Sequence, residues 1–287
     1  MPDAPLGGYS CNLSSWGANS NQYVTMLSRM NFKSANLVVT GENYNVSAPL
    51  ATIASHVAGL RSWVVDMEFE AYTAPRIGNA GLVTWSAGGY AKFIEGFVFT
   101  LEYPIHDVTS LRETVGGTIP TWRTYMPDLG VWSGSYAAKL SDTTAPIVPS
   151  VANTGTGQTG AASPPTITLV YGDSATDESF SGSIITESTA YMIGRGQVAM
   201  ANIGFRGIGN PTSAGTAPVW PGGSIGLPLW TDGASSPVGP ITLASKNGAR
   251  TFVGEDGFIT RFSLACAVGQ PVTVSIRYQG CGTLTTN

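Results

Sequence analysis

The stretch that most constrains the fold is Ile259 to Gly282, ITRFSLACAVGQPVTVSIRYQGCG. Within it Val272, Val274, Ile276 and Tyr278 alternate with Thr273, Ser275, Arg277 and Gln279, the period-two pattern of a strand with one buried and one wet face. Gly269-Gln270-Pro271 lies just before, and Ser263 to Ala267 further back, so the spacing predicts two strands joined by a short Gly-containing turn. The same hairpin occurs earlier, as TESTAYMIGRGQVAMANIGFRGIG from Thr186 to Gly209. Gly196 and Gly269, Gln197 and Gln270, Ile203 and Ile276, Phe205 and Tyr278, Gly207 and Gly280, and Gly209 and Gly282 all match at one offset of 73 residues. Six matches at one offset, including the turn and the aromatic position, argue for a repeated structural unit. Ile203, Phe205, Val272, Val274, Ile276 and Tyr278 are the predicted core of these hairpins.

A second repeat precedes the first. LVVTGE at Leu37 to Glu42 matches FVFTLE at Phe97 to Glu102 at an offset of 60, and Leu60 and Trp63 match Leu129 and Trp132 at an offset of 69. The strand modules therefore run first type, first type, second type, second type: 37–71 with 97–140, then 186–209 with 259–282. Between the two members of the first pair, Leu50, Ile53, Val57 and Leu60 have helical spacing, with Ser47 as N-cap and Pro49 in the first turn, so one short α-helix is predicted there. Arg61 to Tyr72 reads as a strand. Residues 1–35 are expected to be largely an N-terminal arm, rich in Gly, Ser and Asn, and 36–287 the β region. Ser141 to Pro165 and Asn210 to Pro240 read as Gly-, Pro- and Ser-rich loops.

Composition supports a mainly β chain. Of 287 residues only 11% are charged, while Gly numbers 36 and Pro 18, as suits many turns. The net charge is −4, and the basic residues form no run, which argues against tight nucleic-acid binding. The chain shows no apolar run of membrane-spanning length and its first ten residues lack signal-peptide character, so synthesis in the cytoplasm is expected. Cys11, Cys266 and Cys281 have no metal spacing, and free thiols are expected, with a Cys266–Cys281 pairing across the hairpin as the alternative.

The catalytic search returns nothing. Ile167 to Ser174, ITLVYGDS, resembles the nucleophile block of GDS-type esterases, but such a serine needs a downstream histidine, and His56 and His106 both lie upstream. Thr84 to Gly88, TWSAG, departs from a nucleophile elbow at its first position. Two histidines fifty residues apart make no zinc site, and His106-Asp107 reads as a turn cap. Gly194-Arg195-Gly196 has no GK[ST] or helix after it. Glu68 and Glu70 share a strand face and read as a solvated pair, since a glycosidase pair needs a desolvated cleft. No cofactor and no metal are expected.

Three segments resemble the tail tube, or major tail, proteins of tailed bacteriophages: Phe97 to Leu111 with Asp107-Val108-Thr109-Ser110, Arg123 to Leu140 with Trp132-Ser133-Gly134-Ser135, and Ile259 to Leu284 with Gln279-Gly280-Cys281-Gly282. Pro127-Asp128-Leu129 carries Asp where the family has Gly, and Cys281 stands where it has Thr. The resemblance implies a tail-tube-like β-sandwich or barrel whose subunits close into a ring with a shared inner β-barrel, a non-enzymatic virion protein made in the host cytoplasm. Its implied partners are further copies of itself in trimeric or hexameric rings stacked into a tube, with tape measure, terminator and sheath proteins. DNA passes through the lumen without specific binding, and no membrane is involved. The wet face, Thr273, Ser275, Arg277 and Gln279 with Asn202 and Arg206, is then expected at the lumen or a subunit interface. The paired modules leave open two tube domains or one with an elaborated N-terminal half. A carbohydrate-binding or adhesion module stacking sugars on Trp85, Trp220 and Trp230 is the alternative, as is a decoration or baseplate protein.

Overall fold

The computed structural model describes residues 11–16, 30–47, 53, 55–71, 82–85, 89–91, 94–109, 122–139, 166–170, 179–214, 241–245 and 250–286. Among these residues the protein is all β. The strands are β1 (Cys11–Trp16), β2 (Met30–Asn45), β3 (His56–Ala71), β4 (Leu82–Trp85), β5 (Gly89–Ala91), β6 (Ile94–Glu102), β7 (Ile105–Asp107), β8 (Tyr125–Pro127), β9 (Val131–Lys139), β10 (Thr166–Val170), β11 (Ser179–Met192), β12 (Met200–Ala214), β13 (Ile241–Ser245), β14 (Thr251–Ala267) and β15 (Thr273–Thr286). Thirteen of them form one antiparallel sheet with the path β2-β3-β15-β14-β6-β9-β12-β11-β10-β4-β5, and β1 joins through β13, which pairs with β14. β7 and β8 make a separate two-stranded ribbon.

Both expected hairpins are present, as β11–β12 and β14–β15. Their agreement extends beyond the sequence matches. Thr186 faces Phe205 in one and Ile259 faces Tyr278 in the other, and the ladder slips between Ser181 and Ser183 and between Thr186 and Ser188 as it does between Gly254 and Asp256 and between Ile259 and Arg261. Each pair of positions is 73 residues apart, as Gly196 and Gly269 are. Those two glycines have φ of 77° and 73°, a region that side chains avoid. One residue further on, each turn closes with the same bond, Gln197 N–H to Gly194 C=O and Gln270 N–H to Ala267 C=O, both 3.1 Å.

The first-type modules attach to the second-type ones in a nested order. β3 pairs with β15, so that Val65 faces Tyr278, while β9 pairs with β12, so that Gly134 faces Phe205. The outer group β2-β3-β15-β14 is therefore assembled from the two ends of the described chain and encloses in sequence the inner group β6-β9-β12-β11. Trp63 and Trp132 occupy equivalent places. Trp63 lies 5.7 Å from the Tyr278 ring and donates Nε1–H to Gly282 C=O at 3.0 Å; Trp132 lies 6.2 Å from Phe205 and donates to Gly209 C=O at 2.8 Å. Gly280 and Gly207 make room for the indoles, since a Cβ there would stand 1.9 and 1.7 Å from the ring.

The offset of 60 between LVVTGE and FVFTLE is corrected by the ladder. Leu37 faces Val65 and Phe99 faces Gly134, so β2 and β6 correspond two residues further along, at 62. Register follows the buried tryptophans and not the best run of letters.

The predicted helix is absent from the described residues. His56 to Leu60 open β3, where His56, Val57 and Ala58 face Asn45, Tyr44 and Asn43 of β2. Ser47 does not cap a helix: its Oγ accepts the Ser55 N–H at 2.7 Å, and Val46 N–H donates to Ser55 C=O at 2.8 Å, closing the β2–β3 hairpin. The helical spacing of Leu50, Ile53, Val57 and Leu60 arises where no buried face constrains the pattern, since Ile53 and Val57 are exposed. Residues 11–16 and 30–35 of the expected arm are strand. The loops at 141–165 and 215–240 lie outside the described residues.

One core cluster runs through both groups. Trp63, Val65, Met67 and Phe69 of β3 and Val274, Ile276 and Tyr278 of β15 are buried in the outer group, as are Ala201, Ile203 and Phe205 of β12 in the inner. Phe99 joins the two, stacked on Phe180 at 4.3 Å and 6.4 Å from Phe262. Burying such aromatic area is the main favourable contribution available to a chain with few charges.

Candidate assembly surfaces

Of the residues predicted to face a lumen or neighbour, Ser275 and Arg277 of β15 and Asn202 and Arg206 of β12 are exposed, and Thr273 is half-buried. Gln279 departs from the group. It is buried at 7% exposure, and its Nε2 donates to Trp63 C=O at 3.0 Å and Gly280 C=O at 3.2 Å. Alternation therefore stops at Tyr278, where Gln279 turns inward to satisfy backbone carbonyls beside Trp63. Ile203, Phe205, Val272, Val274, Ile276 and Tyr278 are all buried at 2% exposure or less.

The face opposite the core is charged but internally matched. Across neighbouring strands, Thr273, Ser275 and Arg277 face Glu70, Glu68 and Asp66. Ion pairs join Arg277 to Asp66 at 3.7 Å, Arg261 to Glu102 at 3.2 Å, Lys33 to Glu68 at 3.5 Å and Arg206 to Glu187 at 2.7 Å, and Lys139 to Glu95. Exposed pairs of this kind add little stability. Their effect is to leave these five cations matched by carboxylates.

The residues 103–109 and 122–130, which carry the Asp-Val-Thr and Pro-Asp-Leu motifs, fold as the β7–β8 ribbon and lean on the outer group. Arg123 pairs with Glu42 of β2 and with Asp107 at 2.6 Å, and its backbone N–H donates to Arg61 C=O at 2.8 Å. The Asp107 carboxyl is held below its usual range: burial opposes the shift, but the Thr109 hydroxyl and N–H and the Arg123 guanidinium outweigh it. His106 Nε2 lies 3.0 Å from Asp128 Oδ2, and that bond, with the Leu129 N–H, lowers the Asp128 carboxyl. These groups are turn and ribbon fasteners. Among the described residues no set of three His, Cys, Asp or Glu side chains is placed to hold a metal, and no helix is long and apolar enough to cross a membrane. Cys266 is a buried free thiol pushed up to about 11 by burial, and Cys281 is a half-buried one. The first four residues of the esterase-like block, Ile167 to Val170, lie in strand β10, and Thr84 and Trp85 end strand β4; the Gly-Asp-Ser of that block, Trp220 and Trp230 lie outside the described residues.

The feature that sequence reasoning missed is a fork in the sheet. Along one edge of β14, Thr251 to Gly254 pair with β13 while Arg261 to Ala267 pair with β6. The equivalent edge of β11 is only half used: Ser179 to Ser183 pair with β10, and no strand among the described residues pairs with its outer edge from Ser188 onward. Among the described residues β2 likewise pairs with β3 alone. Large apolar side chains are exposed at both places, Tyr191 at 53% and Ile193 at 76%, Val38 at 43% and Val39 at 49%. Unpaired, apolar strand edges are sites at which a further strand adds. The exposed Tyr191-Met192-Ile193 run was the sequence signal available.

A scan against protein-family models and a search of curated proteins each returned no match. Among solved structures, the chain is similar to one described as "Virion of native gene transfer agent (GTA) particle", at 15% identity and a TM-score of 0.35, over 48% of this chain and 97% of that one. It is similar in the same degree to one described as "Tail of empty GTA particle computed with helical refinement, C6 symmetry", at 15% identity and a TM-score of 0.35, over 50% and 98%.

Proposed function

We propose that this chain is a structural subunit of a phage-like virion, and within it the tail tube subunit: a non-enzymatic protein that associates with itself into rings, which stack into the conduit for DNA. The observation that supports the reading is that β2, and β11 from Ser188 onward, have an edge without a partner strand among the described residues. A sheet that ends in open edges must have them covered, and closing several copies into one barrel does so for every copy at once. Two equivalent four-stranded groups per chain make three copies sufficient for a ring of six such groups. The wet face, with Thr273, Ser275, Arg277, Asn202 and Arg206, then lines the lumen, where Arg277 and Arg206 already paired with carboxylates let DNA slide. Gln279 is no part of that lining. The motif resemblance in 97–140 and 259–284 points the same way.

Negative-stain electron microscopy of the purified protein, taken to high concentration, tests this. Rings or hollow filaments are expected. A monomer that persists across salt and concentration overturns it.

A further inference from the structure

The junction between the two groups inside one chain is a template for the contact between two chains. In the middle of the sheet β14, the last strand of the outer group, meets β6, the first strand of the inner group. Their counterparts carry the edges left open among the described residues: β2, equivalent to β6 at an offset of 62, at one end of the sheet, and β11, equivalent to β14 at an offset of 73, over the length beyond its pairing with β10. The two open edges thus belong to copies of the two strands that already fit together.

We propose that the outer edge of β2 of one copy pairs antiparallel with β11 from Ser188 to Gly194 of a second copy, in the register of the β6–β14 ladder. This deepens the self-assembly reading above and rests on it. The internal ladder sets Phe262 against Leu101, Leu264 against Phe99, Ser263 against Thr100 and Cys266 against Phe97. Transferred by the two offsets, it sets Thr189 against Val39, Tyr191 against Leu37, Ala190 against Val38 and Ile193 against Ala35. Flanking bonds transfer as well. Tyr103 N–H to Thr260 C=O and Val268 N–H to Glu95 C=O, both 2.8 Å, become Gly41 N–H to Glu187 C=O and Arg195 N–H to Lys33 C=O.

Exposure supports the transfer. Leu101, Leu264 and Cys266 are 3%, 0% and 2% exposed within the internal junction, whereas Val39, Tyr191 and Ile193 in the corresponding places are 49%, 53% and 76% exposed. Chemistry of the same apolar kind is kept at both, but only one junction is closed within the chain. Thr189 Oγ1 is enclosed and has no hydrogen-bond partner, at the position where an incoming Val39 backbone would bring donors and acceptors. Because the contact uses two different surfaces, it runs head to tail and builds a ring if the rotation closes.

The test is cross-linking of the full chain carrying Ala190→Cys together with Val38→Cys. Both side chains are exposed on the wet face, so the fold should persist, as circular dichroism will check. Opposed residues in an antiparallel pair have the Cα separation a disulfide needs. Oxidation is expected to give covalent dimers and trimers on a non-reducing gel, reversed by dithiothreitol, with neither single variant doing so. Equal cross-linking by Ala190→Cys with Asn36→Cys overturns the register. Rings or filaments by microscopy without the cross-link overturn the junction while the tube reading stands. Cross-linked oligomers that never stack keep the junction and overturn the tube reading. A lasting monomer overturns both.

Discussion

At the same place in their hairpins, the outer group carries Gln279 and the inner group Arg206. Gln279 is drawn in to bond the Trp63 and Gly280 carbonyls, whereas Arg206 stays in solvent and pairs with Glu187. The backbone around them is nearly the same, with the same turn, the same two slips in the ladder and the same indole seated on a glycine. Equivalent strands therefore hold their register through buried aromatic contacts, while the wet side is free to diverge. The other difference is in what covers each edge. β14 is closed by β6, whereas β11 has no partner strand over the corresponding length among the described residues. One hairpin looks inward to its own chain and the other outward.

The largest expected effect comes from placing charge in either core. Ile276→Asp in the outer group and Ile203→Asp in the inner should each prevent folding, since a buried unpaired carboxylate costs several kcal/mol; a soluble, cooperatively unfolding Ile276→Asp protein would show the outer group to be dispensable. Thr273→Asp, on the other side of the same strand and opposite Glu70, should cost only about 1 kcal/mol through like-charge repulsion while disturbing assembly. Next in size, Trp63→Ala and Trp132→Ala should each cost about 3–5 kcal/mol in urea unfolding. Unequal values would break the equivalence of the two groups. Gly196→Ala and Gly269→Ala should follow at about 1–2 kcal/mol each, the strain of a side chain at positive φ.

The smallest effect on stability, but the sharpest on the edges, concerns thiols. Cys266 is raised from 9.0 to about 11 by burial, so at pH 8 its thiolate fraction is about 100-fold below that of an unperturbed cysteine. It should not react with a disulfide reagent until the protein unfolds. Ile193→Cys puts a thiol at the corresponding place on the open edge. That thiol should react quickly in the monomer and slowly in assembled protein, and equal rates in the two would count against coverage of this edge.

The hairpins were legible because Val272 to Gln279 alternates strictly and because Gly196 and Gly269 mark turns that few other residues permit. The helix expectation failed where burial imposes no pattern, around Ile53 and Val57. Gln279 was misplaced because alternation says which side a residue starts on, not whether a polar side chain folds back to a carbonyl. No residue pattern announces that β3 selects β15 over β12, since both hairpins present the same apolar stripe. The fork at β14 was hidden for a related reason: the edge of a strand is backbone, and sequence periodicity reports faces.

The nested order has a consequence for the chain as it is synthesised. The inner group lies within 94–214 and is complete once Ala214 has left the ribosome, so its strand pairs are closer in sequence than those of β3 with β15 and can form first. β3 must wait for β15, more than two hundred positions later, with its apolar stripe uncovered in the meantime. β14, the strand that shields the inner group's β6 edge, also arrives late. Premature joining of nascent chains along that edge is the hazard this order creates, and the interval between Ala214 and Ala267 is when a chaperone would be needed.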